Sequence, residues 1–486
     1  MLPIDRALLA IGEPSCGIET NTLTLDSRAI APGTAFIAIK GHQLDASRFI
    51  DSALASGASL VLVDSQCEYL PERENVLVID GLANQLSLFA SAFYNKPSTQ
   101  FKLVGVTGTN GKSTVTSMIA NLAIAAEQKT GVIGTLGWGQ TNDLTPLANT
   151  TPSAIELQHL FAQMQDYELV AMEVSSHGLV QGRVEHSEFD IAVFTNLSRD
   201  HLDYHGTMHA YGEAKLTLLT AFSTKCNVVN FDDAKVKQWL AENRIPNPVV
   251  FGENLPTDIS YPFVSFDNAI YSKQGLKCQI RSSWGVSEIT LPLFGKFNLY
   301  NLTAALATLL NLAYDFDWLI DKIEQLDAVV GRMQAFSADN YPTCIVDYAH
   351  TPDALEQALV ALSHHVGNNI TCVFGCGGDR DKGKRPLMAQ IAEKYAKNVV
   401  VTNDNPRTEN AETIAADILT GFKSPEKAVV ELDRFTAIKL AITSTSPDGI
   451  VLIAGKGHED YQIIGANTVH FSDSVAAQQI LKGENA

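Results

Sequence analysis

The chain has 486 residues, a length that suggests about three domains of about 150 residues each. Of these residues 45% are hydrophobic and 18% are charged, values that are ordinary for globular proteins. Its formal net charge of −19 excludes a basic surface made for nucleic acid or an anionic membrane, although local Arg, Lys and helix N-termini can still bind an anionic substrate. The start lacks the basic stretch of a signal peptide, and no apolar run reaches the ~18 residues that span a bilayer. We therefore expect a cytoplasmic protein without membrane insertion.

The first region, residues 1–98, is predicted to be a small α/β domain. Its apolar runs predict the strands Thr34–Ile39, Leu60–Val63 and Asn75–Ile79. A helix is predicted over Gln85–Tyr94. The polar stretch that ends at Ser98 contains a proline, so we place a domain boundary there. The seven cysteines of the chain are odd in number and scattered, which indicates free thiols and not a disulfide framework.

The most informative stretch reads Gly-Val-Thr-Gly-Thr-Asn-Gly-Lys-Ser-Thr, residues 105–114, between a predicted strand at Phe101–Val106 and a predicted helix at Val115–Ala126. A glycine-rich turn in this position directs backbone N–H groups towards a phosphate at the positive end of the helix dipole. Lys112 can then reach the β/γ-phosphates, while a hydroxyl holds Mg²⁺. The stretch predicts nucleoside triphosphate binding by Gly108, Thr109, Asn110, Gly111, Lys112, Ser113 and Thr114.

The match to the strict phosphate-loop pattern is incomplete, because Val106 stands where the pattern has its first glycine. The alternative is an ordinary turn between a strand and a helix. The strand before the turn and the helix after it favour the phosphate loop. Nothing in the loop itself says how the phosphate is used.

The central region, residues 99–331, is predicted to hold a parallel-sheet ATPase domain of the P-loop type. Further apolar runs suit strands that are buried on both faces: Leu169–Glu173, Asp190–Thr195 and Asn227–Asn230. Residues 258–294 alternate and carry turn residues, which predicts a subsheet of antiparallel hairpins. A helix is predicted over Tyr300–Tyr314.

Polar clusters follow two of these strands, where open α/β sheets place their ligands. Glu173 ends the strand next to the phosphate loop and is a candidate Mg²⁺ ligand. His201 is a candidate for a second metal or for a phosphate contact, and His177 and His205 lie close to it in the sequence. The alternative is that these histidines are solvated loop residues. By composition, Lys215 is expected to be an ordinary exposed lysine of a helix.

The third region, residues 332–486, is predicted to be a Rossmann-like doubly wound domain. Its predicted strands are Thr343–Val346, Ile370–Phe374, Asn398–Thr402, Ala428–Leu432 and Gly449–Ile453. Charged loops follow them: Asp347–Pro352, Gly375–Arg385, Asp404–Arg407 and Gly455–Asp460. Arg380 and Arg407 can pair bidentately with a carboxylate. Loops of this kind at the ends of neighbouring strands predict the rim of a ligand site.

Taken in this order, the motifs resemble the Mur ligase family, the ATP-dependent amino-acid ligases of bacterial cell-wall synthesis. The resemblance covers essentially the whole chain. It rests on Gly108–Thr114, Glu173–Gly178, Asn196–His205, Gly331–Gln334, Asp347–Pro352 and Gly455–Asp460. It implies three domains that bind a uridine nucleotide, ATP and an amino acid, respectively.

The resemblance also implies site residues. Contacts to the uridine diphosphate match Leu25, Ser27, His42, Gln43 and Leu44, and contacts to the muramoyl-peptide match Asn149, Thr150, Thr151, Ser175, Gln181 and Arg183. Positions that hold adenine, phosphate and ribose match Asn298, Asn301, Arg332 and Asp347, although the two asparagines could equally be helix caps. Two Mg²⁺ ions are implied, one at Ser113 and Glu173 and one at His201 and a carbamylated Lys215 (N6-carboxylysine).

The loop Asp404-Asn405-Pro406-Arg407 resembles the motif of family members that add meso-2,6-diaminopimelate and not L-lysine. Diaminopimelate carries a second carboxylate at its far end, which Arg407 can clamp. Leaving such a charge unpaired typically costs ~2–5 kcal/mol, so the loop disfavours lysine. In the family Arg380, Gly455 and Glu459 also contact the amino acid.

The implied reaction joins diaminopimelate to UDP-N-acetylmuramoyl-L-alanyl-D-glutamate through an acyl phosphate, in peptidoglycan precursor synthesis, with Lys112, Lys215 and His201 at the reacting groups. Either His205 or His350 assists proton removal. Closure of the domains is expected to exclude water, and a monomer is expected. The alternatives are a lysine-adding ligase, a folylpolyglutamate synthetase-like ligase and an ATP-hydrolysing switch.

Overall fold

A computed structural model describes residues 1–41 and 44–483 of the chain. The chain divides into two compact units. Unit 1 comprises Met1–Val264 and Asn301–Asp315, and unit 2 comprises Ser265–Tyr300 and the chain from Phe316 onwards. Unit 1 therefore holds the first predicted domain and most of the second. The predicted domain boundaries at 98 and 331 stay predictions.

The α-helices α1 to α16 are, in chain order, Pro3–Ala10, Ile50–Ala55, Leu86–Phe93, Lys112–Ala125, Ala154–Gln163, Ser176–Val180, Leu202–His205, Met208–Thr220, Ala234–Ala241, Phe297–Asn311, Phe316–Lys322, Pro352–Val366, Lys384–Tyr395, Ala411–Leu419, Arg434–Ser444 and Asp473–Leu481. Short 3-10 helices cover Ser27–Ala29, Ala46–Phe49, Leu82–Asn84, Pro97–Thr99, Ile323–Gln325 and Pro425–Lys427.

The strands β1 to β23 are, in chain order, Thr22–Thr24, Thr34–Ala38, Leu60–Asp64, Val76–Ile79, Lys102–Thr107, Thr130–Gly134, Gly137–Gln140, Asp143–Thr145, Leu169–Glu173, Ile191–Phe194, Cys226–Asn230, Pro248–Glu253, Phe263–Ser272, Gly275–Ser282, Val286–Leu291, Gln334–Phe336, Thr343–Asp347, Ile370–Phe374, Asn398–Val401, Ala428–Val430, Ile450–Ala454, Tyr461–Ile464 and Asn467–His470.

The N-terminal part of unit 1 is a four-stranded parallel sheet in the order β1-β2-β3-β4. Side chains alternate between its two faces, as the period of a strand requires. Ile37 and Leu62 pack in one core cluster with residues of α1 and α3, and Phe36 and Val61 pack in another with residues of α2. The small α/β fold predicted for this region is confirmed.

The large sheet of unit 1 places the phosphate loop at its centre. In this unit the strand order is β12-β11-β10-β5-β9-β6-β7-β8. Strand β5 is parallel to both neighbours, with Val106 paired to Glu173 of β9 and Thr107 paired to Phe194 of β10. Because the carboxyl ends of parallel strands meet at one edge, the segments that follow these three strands lie side by side.

Unit 2 contains the antiparallel pair β14–β15 and a six-stranded sheet in the order β16-β17-β21-β18-β19-β20. The six-stranded sheet is parallel except for β16. Ile345 and Leu452 face a core formed with α12, α13 and α14, whereas Cys344 and Val451 face one formed with α15 and α16. Helices thus cover both faces, which confirms the doubly wound architecture.

The predicted element bounds differ modestly from the observed ones. The helix expected from Val115 begins at Lys112, and the helix expected over Tyr300–Tyr314 occupies Phe297–Asn311. All seven cysteines are free thiols, and all but Cys16 are buried. Within the part of the chain that the structure describes, no helix combines the length and apolar character needed to cross a bilayer.

Candidate active site

The phosphate loop explains why glycine is needed at positions 108 and 111 but not at 106. Gly108 has φ +144°, and a Cβ there would lie 1.9 Å from Oγ1 of Thr195. Gly111 has φ +88°, and its Cβ would lie 2.5 Å from Oδ1 of Asn301. Both positions therefore exclude a side chain by conformation and by space. Val106 still belongs to β5 and is buried in the sheet.

The phosphate loop is hydrogen-bonded to the segment that follows the neighbouring strand β10. The amide of Thr109 donates to the Asn196 carbonyl at 2.9 Å, and the amide of Asn110 donates to Asn196 Oδ1 at 3.0 Å. Lys112 Nζ donates to the carbonyls of Gly108 and Thr109, both at 2.9 Å. Helix α4 begins at this lysine, so its positive end and the lysine ammonium lie at the same place.

The predicted Mg²⁺ ligands Ser113 and Glu173 lie together. Ser113 Oγ donates to Glu173 Oε1 at 2.8 Å, and Thr135 donates to the same carboxylate from its amide and its hydroxyl at 2.9 and 3.2 Å. Among residues 1–41 and 44–483, no three His, Cys, Asp or Glu side chains form a metal cage. A hydroxyl and a carboxylate are nevertheless hard oxygen donors of the kind that Mg²⁺ takes beside substrate phosphates. The donor set therefore fits Mg²⁺.

Lys215 corrects an expectation from composition. This residue of α8 is not an exposed helical lysine, since only 1% of it is accessible. Its Nζ donates to the Gly108 carbonyl at 2.7 Å and lies 4.6 Å from the centre of the Tyr211 ring. Burial, and then the charge of Lys112, lowers the pKa of Lys215 well below its ordinary value. The amine is thus biased towards its neutral form.

The histidines of the two polar clusters form one group beside this lysine. The His177 ring centre lies 5.0 Å from that of His201 and 5.5 Å from that of His205. His205 Nε2 and Ser176 Oγ share a hydrogen bond of 2.9 Å. Burial lowers the pKa of both His177 and His205, and neighbouring cationic groups lower it further. Only His201 is as exposed as an ordinary loop histidine.

Three of the residues predicted to contact the muramoyl-peptide are linked by hydrogen bonds to Glu173, directly or through one neighbour. Thr151 Oγ1 donates to the Glu173 carbonyl at 2.9 Å and accepts from the Ser175 amide at 2.9 Å. Thr150 Oγ1 lies 3.0 Å from Thr135 Oγ1, which itself bonds to the Glu173 carboxylate. Through the buried Thr151 and Glu173, these residues form one hydrogen-bonded polar surface with the phosphate loop.

Arg183 and Gln181 extend this polar surface. The Arg183 guanidinium donates to the Thr151 carbonyl at 2.6 Å and to Gln181 Oε1 at 2.5 and 2.9 Å. Gln181 Nε2 donates to the Tyr204 hydroxyl at 3.2 Å. Asn149 is exposed.

Three of the predicted uridine contacts lie in the N-terminal part of unit 1, outside its strands. Leu25 is half-buried against the core, Ser27 begins a 3-10 helix, and Leu44 is exposed. His42 and Gln43 lie outside the described residues. A cavity of about 520 Å³ is lined by Lys40, Gly41, Leu44, Asp45, Ser47, Arg48, Glu68 and Tyr69. Of this lining only Leu44 was predicted from the sequence, although the basic residues on either side of His42 were a signal for the rest.

The predicted adenine and ribose residues are fixed by local contacts. Helix α10 begins at Phe297, so Asn298 and Asn301 lie inside the helix and are buried, not helix caps. Asn298 belongs to unit 2, where its Nδ2 donates to the Phe294 carbonyl at 2.8 Å. Asn301 belongs to unit 1 and lies against Gly111.

Asp347 and Arg332 lie at the start of the doubly wound sheet. The Asp347 carboxylate accepts the amides of Met333 and Ala349, each at 2.8 Å. Burial raises the pKa of Asp347, against these hydrogen bonds and the Arg332 charge. The Arg332 guanidinium lies 4.9 Å from the centre of the Tyr348 ring.

His350 follows the same strand, β17. Its Nδ1 donates to the Tyr348 carbonyl at 2.9 Å, which leaves Nε2 with a lone pair in the neutral ring. The His350 carbonyl accepts from Lys384 Nζ at 2.8 Å. A base at Nε2 is thus compatible with this geometry.

The predicted amino-acid residues gather at the carboxyl edge of the sheet in unit 2. Arg407 Nη1 donates to the Gly378 carbonyl at 3.0 Å, and Arg380 is exposed in the neighbouring loop. Asn405 Nδ2 donates to Glu459 Oε2 at 3.1 Å. These side chains therefore surround one polar region.

The remaining residues that are predicted to contact the amino acid lie at the same edge of the sheet. The Gly455 amide donates to the Asp347 carbonyl at 3.1 Å, which joins the amino-acid loops to the ribose candidate. Pro406 is buried, and Asp404 is half-buried. One fully buried residue of the same region, Lys456, was not singled out by sequence, because burial of a lysine leaves no mark in the composition of a loop.

Family models match three segments of the chain: the Mur ligase family catalytic domain at residues 19–94, the Mur ligase middle domain at 106–309, and the Mur ligase glutamate ligase domain at 331–457. The chain is 45% identical to the UDP-N-acetylmuramoyl-L-alanyl-D-glutamate--2,6-diaminopimelate ligase of Haemophilus influenzae, over 98% of this chain and 99% of the relative. It is 45% identical to the ligase of the same name from Vibrio vulnificus, over 96% and 95%.

Two solved structures are also similar to this chain along nearly its whole length. A structure of a UDP-N-acetylmuramoyl-L-alanyl-D-glutamate--2,6-diaminopimelate ligase is similar with a TM-score of 0.72 at 36% identity, over 97% of this chain and 96% of that one. The MurF ligase of Thermotoga maritima, in complex with ADP, shares the fold with a TM-score of 0.64 at 19% identity, over 96% and 98%. These matches, together with the phosphate loop, show an ATP-dependent amide ligase. The chain belongs to the Mur ligase family.

Proposed function

We propose that this chain joins meso-2,6-diaminopimelate to the D-glutamate of UDP-N-acetylmuramoyl-L-alanyl-D-glutamate, with conversion of ATP to ADP and phosphate. The observation that carries the proposal is the 45% identity, along almost the whole chain, to ligases named for these two substrates. The reaction belongs to peptidoglycan precursor synthesis in the cytoplasm, and the acting species is a monomer.

The first chemical step activates the acceptor. A carboxylate oxygen of D-glutamate bonds to the γ-phosphorus of ATP, the bond to the β–γ bridging oxygen breaks, and ADP leaves. Lys112 and the positive end of helix α4 neutralise the charge that moves onto the bridging oxygen. Thr150, Thr151, Ser175 and Arg183 hold the acceptor, since they share hydrogen bonds with the surface around Glu173.

The second step forms the amide. The amine of diaminopimelate attacks the acyl carbon, the carbon–oxygen bond to phosphate breaks, and the amine loses a proton. His205 and His350 are the candidate acceptors of that proton. His205 is held by Ser176, and His350 keeps Nε2 free to accept.

Mg²⁺, when bound, neutralises phosphate oxygens and favours departure of ADP. Ser113 and Glu173 would hold one ion, and His201 together with Lys215 the other. The support for the first is the 2.8 Å pair of Ser113 Oγ and Glu173 Oε1. Lys215 becomes a ligand only as a carbamate, which turns its cation into an anion.

The surroundings of Lys215 favour that modification chemically. A carbamate forms when a neutral amine attacks carbon dioxide, and the bond costs one proton from the nitrogen. Burial lowers the pKa of Lys215, which shifts the amine towards the neutral form that reacts. Its 2.7 Å contact with Gly108 places it against the phosphate loop.

The choice of amine rests on Arg407. Its guanidinium clamps the distal carboxylate of diaminopimelate, with Arg380, Gly455 and Glu459 around the rest of the molecule. The Arg407 guanidinium here donates to the Gly378 and Asn405 carbonyls at 3.0 and 3.4 Å, which supports a fixed position of this side chain beside the loop that carries Arg380. Lysine leaves this charge without a carboxylate, at a cost of about 2–5 kcal/mol.

Release of ADP measured in a coupled assay tests the function. We expect release only when the nucleotide-dipeptide and diaminopimelate are both present, with the tripeptide product confirmed by mass spectrometry. ADP release that needs no amine indicates an ATP-hydrolysing switch instead. Release with a folate and glutamate indicates a folylpolyglutamate synthetase, whose solved relative from Mycobacterium tuberculosis shares the fold at 22% identity, with a TM-score of 0.60 over 78% of this chain and 92% of that one.

A further inference from the structure

Lys456 is a lysine with no accessible surface in the middle of the candidate amino-acid site. Its Nζ lies 3.3 Å from Asn405 Oδ1, 3.3 Å from Glu459 Oε2 and 3.6 Å from Asp404 Oδ1. The ring of Tyr461 covers it, with its centre 5.5 Å from the ammonium. All three oxygens belong to the two loops that are expected to hold the amine substrate.

A buried charge of this kind is stabilised only if its partners stay in place. Removing an ammonium from water costs several kcal/mol unless it is paired and hydrogen-bonded. The two carboxylates of Asp404 and Glu459 supply the opposite charge, and they would repel each other without the lysine between them. The cation, together with the buried Arg434 that also interacts with both carboxylates, therefore stabilises the approach of these two acids.

The same lysine is linked to the backbone of the arginine loop. Asn405 Oδ1 accepts both Lys456 Nζ and the Ile463 amide, the latter at 2.9 Å. The Arg407 amide donates to the Ile463 carbonyl at 3.0 Å, and the Gly465 amide donates to the Arg407 carbonyl at 2.7 Å. The hairpin of β22 and β23 thus borders the loop on its other side.

These bonds hold an unusual backbone. Arg407 has φ +52°, a left-handed conformation that is uncommon for a residue with a side chain. Such a conformation persists only where surrounding contacts determine it. The hairpin fixes the Arg407 backbone directly, and Lys456 fixes Asn405, which stands two positions earlier.

We propose that Lys456 is the positioning residue of the amino-acid site, acting through Asn405 and Glu459 and not by contact with the substrate. Its ammonium sets where Glu459 lies and, through the Asn405 side chain, how the Asp404–Arg407 loop meets the β22–β23 hairpin. This inference rests on the proposed function only in its kinetic consequence. The structural consequence stands without it.

The kinetic test compares Lys456→Met, Lys456→Arg and the control Lys394→Met. Lys394 belongs to the same unit and also pairs with a carboxylate at 3.3 Å, with Glu356, but it is exposed. Lys456→Met should raise KM for diaminopimelate at least about tenfold, the loss expected if the displaced Glu459 or Arg407 loses one charge-assisted hydrogen bond to the amine substrate, and leave KM for ATP unchanged. Lys456→Arg keeps the charge and should raise the same constant less. An unchanged amine KM, or an equal rise for ATP, overturns the proposal.

A second measurement separates this inference from the proposed function and covers a Lys456→Met variant that does not fold. Amide hydrogen exchange is followed at Ile463 and Gly465, in Lys456→Arg as well as in Lys456→Met, with the phosphate loop as internal reference. We expect faster exchange at both amides in each folded Lys456 variant. The exchange rates in the phosphate loop, and those of both amides in Lys394→Met, should equal the wild-type rates. Unchanged exchange overturns the positioning role even if the enzyme ligates diaminopimelate. Faster exchange sustains it even if the wild type uses another amine.

Discussion

Lys215 Nζ donates a 2.7 Å hydrogen bond to the carbonyl oxygen of Gly108, so a lysine of helix α8 is fastened to the phosphate loop. The lysine is fully inside the protein, and its pKa is lowered by burial and then by the Lys112 charge. Keeping this amine protonated inside the protein and beside the Lys112 charge is therefore unfavourable. Conversion to a carbamate would remove that conflict.

Lys215→Ala should therefore lose nearly all ligase activity, because the loop loses both an anchor and the proposed metal ligand. Short carboxylates such as acetate or formate should restore part of it, since they supply the missing anionic oxygen. Lys237→Ala, on α9, is a suitable control, since its side chain lies on the protein surface over the Phe231 ring. Full activity in Lys215→Ala would contradict the carbamate.

Lys112→Ala should reduce ADP formation by ~10²-fold or more, the effect expected when a preorganised donor to a developing charge is removed. The measurement is the rate of ADP release at saturating substrates. Lys102→Ala changes the opposite end of strand β5, where the lysine pairs with Asp190 at 3.6 Å, and should retain the wild-type rate. Equal rates in the two variants would mean that the loop does not act on phosphate.

Some features of the fold and of the site could be predicted from the sequence, and others could not. The strands of the doubly wound sheet were predictable, because Ile370–Phe374 and its neighbours are apolar runs buried on both faces. The pairing of Ser113 with Glu173 was also predictable, since both follow the ends of adjacent strands. The burial of Lys215 and Lys456 was not, because it depends on which elements cover a helix or a loop. A pattern of residues carries no such information.

The pair Arg434–Asp473 should be important for the stability of the doubly wound sheet. Both side chains have no accessible surface, and the guanidinium donates two bonds of 2.7 Å to the carboxylate. Arg434→Met leaves a buried carboxylate alone, and we expect it to lower the free energy of unfolding by about 3–5 kcal/mol. Urea unfolding measures this. Arg28→Met, which breaks an exposed pair with Asp26, should leave it unchanged.

His365 should make the stability of unit 2 depend on pH. Its Nε2 accepts the Gly295 amide at 3.1 Å, so its Nδ1 donates to the Ser272 carbonyl at 2.7 Å and the ring must be neutral. Burial lowers the pKa of His365 from 6.5, so the unfolded chain takes up a proton first on acidification. The free energy of unfolding should thus fall as pH drops below about 6.5.

His365→Gln should show a shallower fall, because glutamine keeps a donor and an acceptor and does not titrate in this range. Urea unfolding of the wild type and the variant at several values on either side of pH 6.5 measures the difference. His364→Gln, at the exposed neighbouring position, should behave as the wild type does. An identical pH dependence in wild type and His365→Gln would contradict the neutral bridge.

Arg407→Ala should raise KM for diaminopimelate far more than KM for ATP, because only the amine has a carboxylate for the guanidinium to clamp. Arg407→Lys should recover little, since an ammonium cannot replace a bidentate fork. Steady-state kinetics with each substrate varied in turn checks both. Parallel changes in the two constants would assign Arg407 to general stability of the loop.

The central claim is that this ligase selects an amine with a distal carboxylate, and the ratio of kcat/KM for meso-2,6-diaminopimelate to that for L-lysine tests it most directly. One clamped charge worth about 2–5 kcal/mol corresponds to a ratio of roughly 30 to several thousand in favour of the diacid. We expect a ratio in that range for the wild type and a ratio near unity for Arg407→Ala. A wild-type enzyme that couples lysine as readily as diaminopimelate would contradict the account.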